Sequence, residues 1–172
     1  MKAKRVLSLL LALALSLTLS PLTLPAAAVE PAAGMGNLSR NGTYQTGVYK
    51  DVPANAWYAE SAAATYELGL MRGSNGRFSP NGNVTVAQAI AMAARLHARY
   101  TTGKDSFVQG EPWYQVYLDY AIQNGMLTGK EFPGGYSKAI TRGQMAHVFA
   151  SALPESELTA INLVNTLPDV NA

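Results

Sequence analysis

An internal repeat with a spacing of 56 residues constrains the fold of this chain more than any other feature of its sequence. Shifting the sequence by 56 places Trp57–Tyr58 on Trp113–Tyr114, and the alignment continues without a gap. The same shift also aligns two glycines, a threonine and a glutamine with their counterparts: Gly69 with Gly125, Gly73 with Gly129, Thr85 with Thr141 and Gln88 with Gln144. These matches in one register indicate two copies of one structural unit.

Each copy has the pattern of two helices joined by a loop. The first helix is predicted over residues 57–69 and again over residues 113–125, and each ends at a glycine, where a left-handed cap is expected. Apolar residues at i, i+4 spacing give this helix a broad apolar face in the second copy. A loop rich in Gly, Asn and Pro follows in both copies. The pattern therefore predicts an all-α fold of tandem helix–loop–helix repeats.

The second helix of each copy begins at a capping box. Thr85 and Thr141 are the predicted N-caps, and Gln88 and Gln144 lie three residues later. In this motif the hydroxyl accepts from the third backbone amide of the helix, while the glutamine side chain accepts from the amide of the cap. The repeated Thr and Gln are therefore interpreted as structural helix caps, and a cation, Arg142, follows the cap only in the second copy.

The first 28 residues have the pattern of a secretory signal peptide. A short cationic start precedes an apolar run over residues 6–19, and Pro25–Ala28 supplies the small residues that a signal peptidase recognises. This run of 14 residues is shorter than the roughly 20 that span a bilayer, so a membrane anchor is the less favoured alternative. Residues 29–47 carry Pro, Gly, Asn and Ser with little periodicity and are interpreted as a linker.

The composition excludes several classes of function. The chain has no cysteine, so packing alone must hold an exported domain together. The formal net charge is +2 and no basic run follows the signal peptide, which argues against nucleic-acid binding. His97 and His147 occupy non-equivalent positions and have no cysteine or paired carboxylate at ligand spacing. No metal, cofactor or catalytic group is predicted, and we do not expect an enzyme.

The order of these residues resembles the S-layer homology module over residues 48–170. The residues that carry the resemblance are Asp51–Val52, Trp57, Gly69, Gly73, Phe78 and Thr85–Gln88 in the first copy, and Trp113, Gly125, Gly129, Phe132 and Thr141–Gln144 in the second. On this basis residues 48–103 are predicted to be repeat 1 and residues 104–154 repeat 2. Residues 155–172 are predicted to be a linker and the start of a truncated third repeat at Asp169–Val170.

The resemblance implies a secreted protein that is anchored at the cell surface of a Gram-positive bacterium. Its partner would be a secondary cell-wall polysaccharide, commonly a pyruvylated one, and no membrane contact is expected once the signal peptide is cleaved. The resemblance also implies part of a pseudo-threefold helical bundle, with a further module or a cargo domain beyond residue 172. The alternative is a helical-repeat module of the cell surface that binds a protein partner or self-assembles into a homo-oligomer.

The resemblance further implies which residues contact the polysaccharide. Arg142 would be the main contact, because an arginine at this position of the motif has that role in the family. The supporting positions are Trp57, Trp113, Asp51 and Gly129. Apart from the resemblance, Arg77 is the best ligand candidate among the loop cations, although each of these cations is expected first to be a solvated charge. A guanidinium beside the free amides of a helix N-terminus can hold a carboxylate in two parallel hydrogen bonds.

Two expectations qualify these site residues. Val86 stands in the first copy where Arg142 stands in the second, so the first groove is expected to lack its main anion contact. Both Trp57 and Trp113 are expected to be core residues first, with contact to a sugar face as a second role.

Overall fold

The computed structural model describes residues 32–158, so the predicted signal peptide and the predicted third repeat lie outside the described residues. Within this range the chain forms helices but no strands or sheet, which confirms the predicted all-α class. The four α-helices are α1 (Ala59–Glu67), α2 (Val86–Thr102), α3 (Gln115–Gln123) and α4 (Arg142–Ala150). Short 3₁₀ turns lie at Met35–Asn37 and Glu155–Glu157. None of the helices described is long and apolar enough to cross a membrane.

The first helix of each repeat is shorter than the sequence pattern predicts. Both α1 and α3 begin two residues after the tryptophan, because a tight turn precedes each of them: Ala59 donates to the carbonyl of Ala56 at 2.9 Å. At their other ends the chain reaches Gly69 with φ +66° and Gly125 with φ +69°. These left-handed glycines end both helices at equivalent positions.

The second helix of each repeat begins with the same hydrogen bonds. The Thr85 hydroxyl accepts from the backbone amide of Gln88 at 3.2 Å, and the Gln88 side chain accepts from the amide of Thr85 at 2.9 Å. Thr141 and Gln144 make the same pair of bonds, at 3.2 Å and 3.0 Å. The two helices therefore start alike, although α2 has 17 residues and α4 has 9.

Helix α2 is the central element and packs against both α3 and α4. Small and branched side chains line its contact faces, which lets the neighbouring helices approach closely. Buried members of this main core are Val86, Ile90, Ala94, Tyr117, Leu118, Ala121, Leu127 and Val148. Helix α2 therefore shares one core with repeat 2, whereas Tyr49, Val52 and, on α1, Ala62 form a second, smaller core within repeat 1.

The loop of repeat 2 is hydrogen-bonded to repeat 1 directly through its backbone. Ile140 donates its N–H to the carbonyl of Val84 at 2.8 Å, and Val86 donates to the carbonyl of Lys138 at 2.9 Å. An isolated antiparallel bridge between Thr85 and Ala139 lies between these two bonds. The loop of repeat 2 therefore lies across the N-terminus of α2.

Residues 32–47, which include most of the predicted linker, pack against α1 and α2. Asn37 donates from its side chain to the carbonyl of Tyr100 at 2.9 Å. Tyr44 donates its backbone N–H to the carboxylate of Glu67 at 2.9 Å, and Arg40 pairs with the same carboxylate at 2.7 Å. Sequence periodicity could not find these contacts, because they join an irregular segment to residues that are distant along the chain. The exact domain boundaries stay predictions.

Candidate functional site

A groove with a volume of about 880 Å³ lies between the two repeats. One wall is the loop over residues 70–84 of repeat 1, and the opposite wall is formed by residues 107–117 of repeat 2. Helix α2 contributes residues 88–95 to the same groove. The groove therefore exists only because the two repeats pack side by side.

The lining of the groove is cationic and aromatic. Its charged and aromatic side chains are Arg72, Arg77, Arg95, Phe78, Phe107, Trp113 and Tyr117. No Asp or Glu is among the lining residues in the part of the chain that the structure describes. Such a surface favours an anionic ligand that also offers an apolar face.

The three arginines differ in their surroundings. Arg72 is largely exposed and lies 3.5 Å from the carboxylate of Asp105. Arg77 is exposed at the rim of the groove. Arg95 is only 9% exposed. The last of these is therefore a largely buried cation that borders the groove.

The contacts of Arg95 are with neutral groups. Its Nη1 donates to the carbonyl of Leu70 at 3.1 Å, and its Nη2 donates to the hydroxyl of Tyr117 at 2.6 Å. The guanidinium carbon also lies 4.9 Å from the centre of the Tyr117 ring, within the range of a cation–π interaction. The Tyr117 hydroxyl accepts a second bond, from Gln109 Nε2, at 3.2 Å. Arg95 thus joins the loop of repeat 1 to α3 of repeat 2.

The two tryptophans lie in different environments. Trp113 lines the groove, is 39% exposed and makes an edge contact with Tyr117, with ring centres 6.2 Å apart. Trp57 is 93% exposed, and its ring makes an edge contact with the ring of Tyr58. The expectation that both are core residues first is wrong, because Trp57 is almost fully exposed and Trp113 is exposed as well. The ring contacts of Trp113 are with Tyr114 and Tyr117 of its own repeat, and Trp113 shares the groove with the loop of repeat 1.

Asp51 holds the wall of the groove in place. Its two carboxylate oxygens accept from the backbone amides of Phe78 and Ser79, each at 2.8 Å. The hydrogen bond from the Phe78 amide is the main cause that holds the pKa of Asp51 below its usual value. Both oxygens are engaged by the loop, so Asp51 acts on the groove by fixing the loop that carries Arg77.

Gly73 and Gly129 are equivalent glycines with left-handed backbones. Gly73 lines the groove with φ +64°, and a Cβ added there would lie 2.6 Å from the ring of Tyr49. Gly129 has φ +80°, and a Cβ there would lie 2.9 Å from the end of Ile122. Gly129 therefore has a packing role in repeat 2 and lies outside the groove.

The N-termini of α2 and α4 differ in accessibility. The amides of Val86 and Ala87, the first two residues of α2, donate to the carbonyls of Lys138 and Tyr136, each at 2.9 Å. Val86 itself is 3% exposed, whereas Arg142 is exposed at the first position of α4. The start of α2 is therefore occupied by backbone from repeat 2. The expectation that the first groove lacks its main anion contact stays a prediction.

Comparison with known proteins identifies the repeat. Residues 48–90 match the family model of the S-layer homology domain. This segment is an S-layer homology domain. The match runs from the predicted start of repeat 1 at residue 48 into α2. It includes the loop that forms one wall of the groove.

Two curated relatives agree with this assignment. The chain is 32% identical over 120 residues to the "Surface-layer 125 kDa protein" of Lysinibacillus sphaericus, an alignment that covers 64% of this chain and 10% of that protein. It is 30% identical over 121 residues to a "Cell surface protein" of Thermoanaerobacter kivui, covering 70% of this chain and 14% of that protein. The chain thus spans only about a tenth to a seventh of the length of these relatives. No solved structure matches it.

The groove beside the S-layer homology domain brings together some of the predicted site residues. Arg77 and Trp113 both line the groove. Asp51 supports its wall, whereas Arg142, Trp57 and Gly129 lie outside it.

Sequence reasoning missed three of the groove residues, Arg95, Gln109 and Tyr117. One signal for Arg95 was present. Ala87, Ala91, Arg95 and Arg99 form an i, i+4 row along α2, so two cations stand in the buried row of an amphipathic helix. Charged residues are almost never buried without a specific partner.

Proposed function

We propose that this chain anchors a protein to the bacterial cell wall by binding an acidic cell-wall polysaccharide in the groove between the two repeats. The S-layer homology domain and the relatives named as surface-layer and cell surface proteins support a location at the cell surface. The observation that carries the finer proposal is the lining of the groove, which combines three arginines with exposed aromatic surface and contains no carboxylate among the described residues.

The chemistry of the groove suits an acidic sugar. A guanidinium binds a carboxylate through two parallel N–H donors, which a point charge such as a lysine ammonium does not provide. Trp113 presents apolar ring surface beside these donors, and a sugar ring can lie against such a surface. A pyruvate ketal on the polysaccharide would supply the carboxylate. Binding and positioning account for this function without any catalytic step.

Arg142 is the proposed second contact on the same polymer. It is exposed at the start of α4, whose first turn carries the partial positive charge of a helix N-terminus. A polysaccharide repeats its acidic substituents along its length, so one chain can reach both the groove and Arg142. Two contacts on one polymer raise the overall affinity above that of either alone.

Co-sedimentation with cell walls tests the proposal. The chain from residue 29 would be mixed with native Gram-positive walls and with walls stripped of their secondary polysaccharide. We expect binding to native walls only, weakened by Arg77→Gln, by Trp113→Ala and by Arg142→Ala. Lys104→Gln is the matched control, because it removes one exposed positive charge outside the groove.

Equal binding to both wall preparations would contradict the proposal and would move the target to peptidoglycan. Equal loss of binding in Arg77→Gln and Lys104→Gln would mean that binding depends on the net charge of the protein and not on the groove. Binding through a few exposed arginines should also weaken steadily as ionic strength rises.

A further inference from the structure

We propose that Arg95, Tyr117 and Gln109 form the subsite that binds the carboxylate of the saccharide and so selects acidic sugars over neutral ones. This inference rests on the proposed function and assigns its specificity to three residues outside the repeated motifs. It differs from the expectation that Arg142 is the main contact.

Arg95 has more donors than partners. A guanidinium carries five N–H groups. Two of these donate to Leu70 and Tyr117, and the described residues provide no recorded acceptor for the other three. Since Arg95 is 9% exposed and lines the groove, the open space available to those donors is the groove itself. The free Nε–H of Arg95 is not a fully buried atom, so it opens on the groove, where a ligand oxygen could accept from it.

The Tyr117 hydroxyl adds another donor at the same place. It accepts from Arg95 at 2.6 Å and from Gln109 at 3.2 Å, which occupies both of its lone pairs. Its own proton is therefore left to donate, and no acceptor for it is recorded in residues 32–158. The residue is only 2% exposed and lines the groove.

Arg99 is a second buried arginine of α2, and its counter-charge is a carboxylate of the protein itself. It lies one helical turn after Arg95, is 1% exposed and pairs with the carboxylate of Asp105 at 3.0 Å. Within the described part of the chain no carboxylate lies within 4.0 Å of Arg95. A buried cation without a counter-charge is costly, and a bound carboxylate would supply for Arg95 what Asp105 supplies for Arg99.

The position of Trp113 defines the rest of the ligand. Its ring lies 6.2 Å from the ring of Tyr117, centre to centre, so it stands beside the proposed carboxylate subsite. A saccharide whose carboxylate is attached close to the sugar ring could therefore place its acid against Arg95 and its ring against Trp113. A pyruvate ketal or a uronic acid has this arrangement.

Calorimetric titration of the chain from residue 29 tests the subsite. The probe is a methyl glycoside with a 4,6-linked pyruvate ketal, and its neutral partner is the methyl ester of the same compound. We expect the unaltered chain to bind the acid at least tenfold more tightly than the ester. Tyr117→Phe keeps the ring and its packing but removes the donor, and Arg95→Lys keeps the charge but removes the planar fork.

Each variant should lose roughly tenfold or more in affinity for the acid, because a hydrogen bond to a charged group is lost, and should bind the ester as before. Lys104→Gln should bind both probes like the unaltered chain. Helical circular dichroism and the unfolding temperature of each variant report whether it is folded. If Arg95→Lys does not fold, Tyr117→Phe alone tests the subsite, because it preserves the apolar contacts of α3.

Unchanged affinity of folded Tyr117→Phe for the acid would overturn the subsite. Equal affinity of the unaltered chain for acid and ester, or no binding of the acid, would also overturn it. If the same chain still sediments with native walls only, the proposed function stands without this subsite. If it sediments with neither wall preparation, the proposed function itself fails.

Discussion

The backbone N–H of Val86 donates to the carbonyl oxygen of Lys138 at 2.9 Å, so the first amide of α2 is bonded to the loop of the other repeat. The position equivalent to Val86 in repeat 2 is Arg142, which is exposed. A free helix N-terminus favours anions, but an N-terminus whose amides are already bonded to carbonyls cannot offer them. Packing of the repeats has therefore made two nearly identical helix starts chemically different.

This difference predicts opposite effects of exchanging the two residues. Val86→Arg would place an unpaired charge at a site that is 3% exposed, and we expect it to lower the free energy of unfolding by more than about 2 kcal/mol. Arg142→Val, at an exposed site, should change it by no more than about 0.5 kcal/mol. Urea denaturation followed by circular dichroism measures both. Equal effects of the two substitutions would contradict the proposed asymmetry.

Gly73 and Gly125 provide a matched test of the close packing under the groove. Both have left-handed backbones, which cost a residue with a Cβ roughly 1–2 kcal/mol. At Gly125 a Cβ would meet nothing within 4 Å, whereas at Gly73 it would overlap the carbonyl of Arg77 and approach the ring of Tyr49. Gly125→Ala should therefore lower the free energy of unfolding only by the energy of the backbone strain. Gly73→Ala should cost more than about 3 kcal/mol and should weaken wall binding, because the loop that carries Arg77 must move.

Protonation of Glu131 is expected to destabilise the fold in acid. Burial raises the pKa of this carboxyl, but hydrogen bonds from the amide and hydroxyl of Thr128, at 2.6 Å and 2.7 Å, outweigh it and lower the pKa from 4.5 to about 2. Because the folded pKa lies below the unfolded one, the contribution of Glu131 to stability is complete above about pH 4.5 and is lost as the pH falls towards 2.

Thermal unfolding between pH 2 and pH 7 measures this contribution. Glu131→Gln should unfold at a lower temperature than the unaltered chain at pH 7, and the difference should shrink as the pH falls towards 2. Glu60→Gln, at an exposed position on α1, is the control and should leave the curve unchanged. A difference between Glu131→Gln and the unaltered chain that stays constant over this pH range would disprove the assignment.

The two tryptophans predict separable fluorescence signals. Trp57 is 93% exposed and Trp113 is 39% exposed, so acrylamide should quench the fluorescence of Trp57 roughly twofold more strongly than that of Trp113. Trp113→Phe leaves only the signal of Trp57, and Trp57→Phe leaves only that of Trp113. Addition of an acidic saccharide should change the emission of Trp113, which lines the groove. A change confined to Trp57 would instead favour the ligand contact that the family resemblance implies for that residue.

Local patterns in the sequence were sufficient to predict the four helices and the starts of α2 and α4, although α1 and α3 begin two residues later than predicted. The capping boxes at Thr85 and Thr141 each involve residues three apart, and the glycine ends at Gly69 and Gly125 depend on one backbone angle. Such features are determined within one helical turn, so a single sequence contains the information needed. The S-layer homology domain at residues 48–90 also followed from these motifs, because their order and spacing recur in both repeats.

The groove could not be predicted in the same way, because it is formed between residues that are distant in the chain. Arg95 and Tyr117 lie 22 residues apart on different helices, and their hydrogen bond depends on the packing of α2 against α3. The exposures of Trp57 and Trp113 likewise depend on the side chains that pack beside them. The sequence alone determined two helical repeats, their caps and the S-layer homology domain at residues 48–90, since these depend on neighbours along the chain. The tertiary structure alone decided which helix start is closed and which cation borders the groove, since burial and pairing arise only when the repeats pack together.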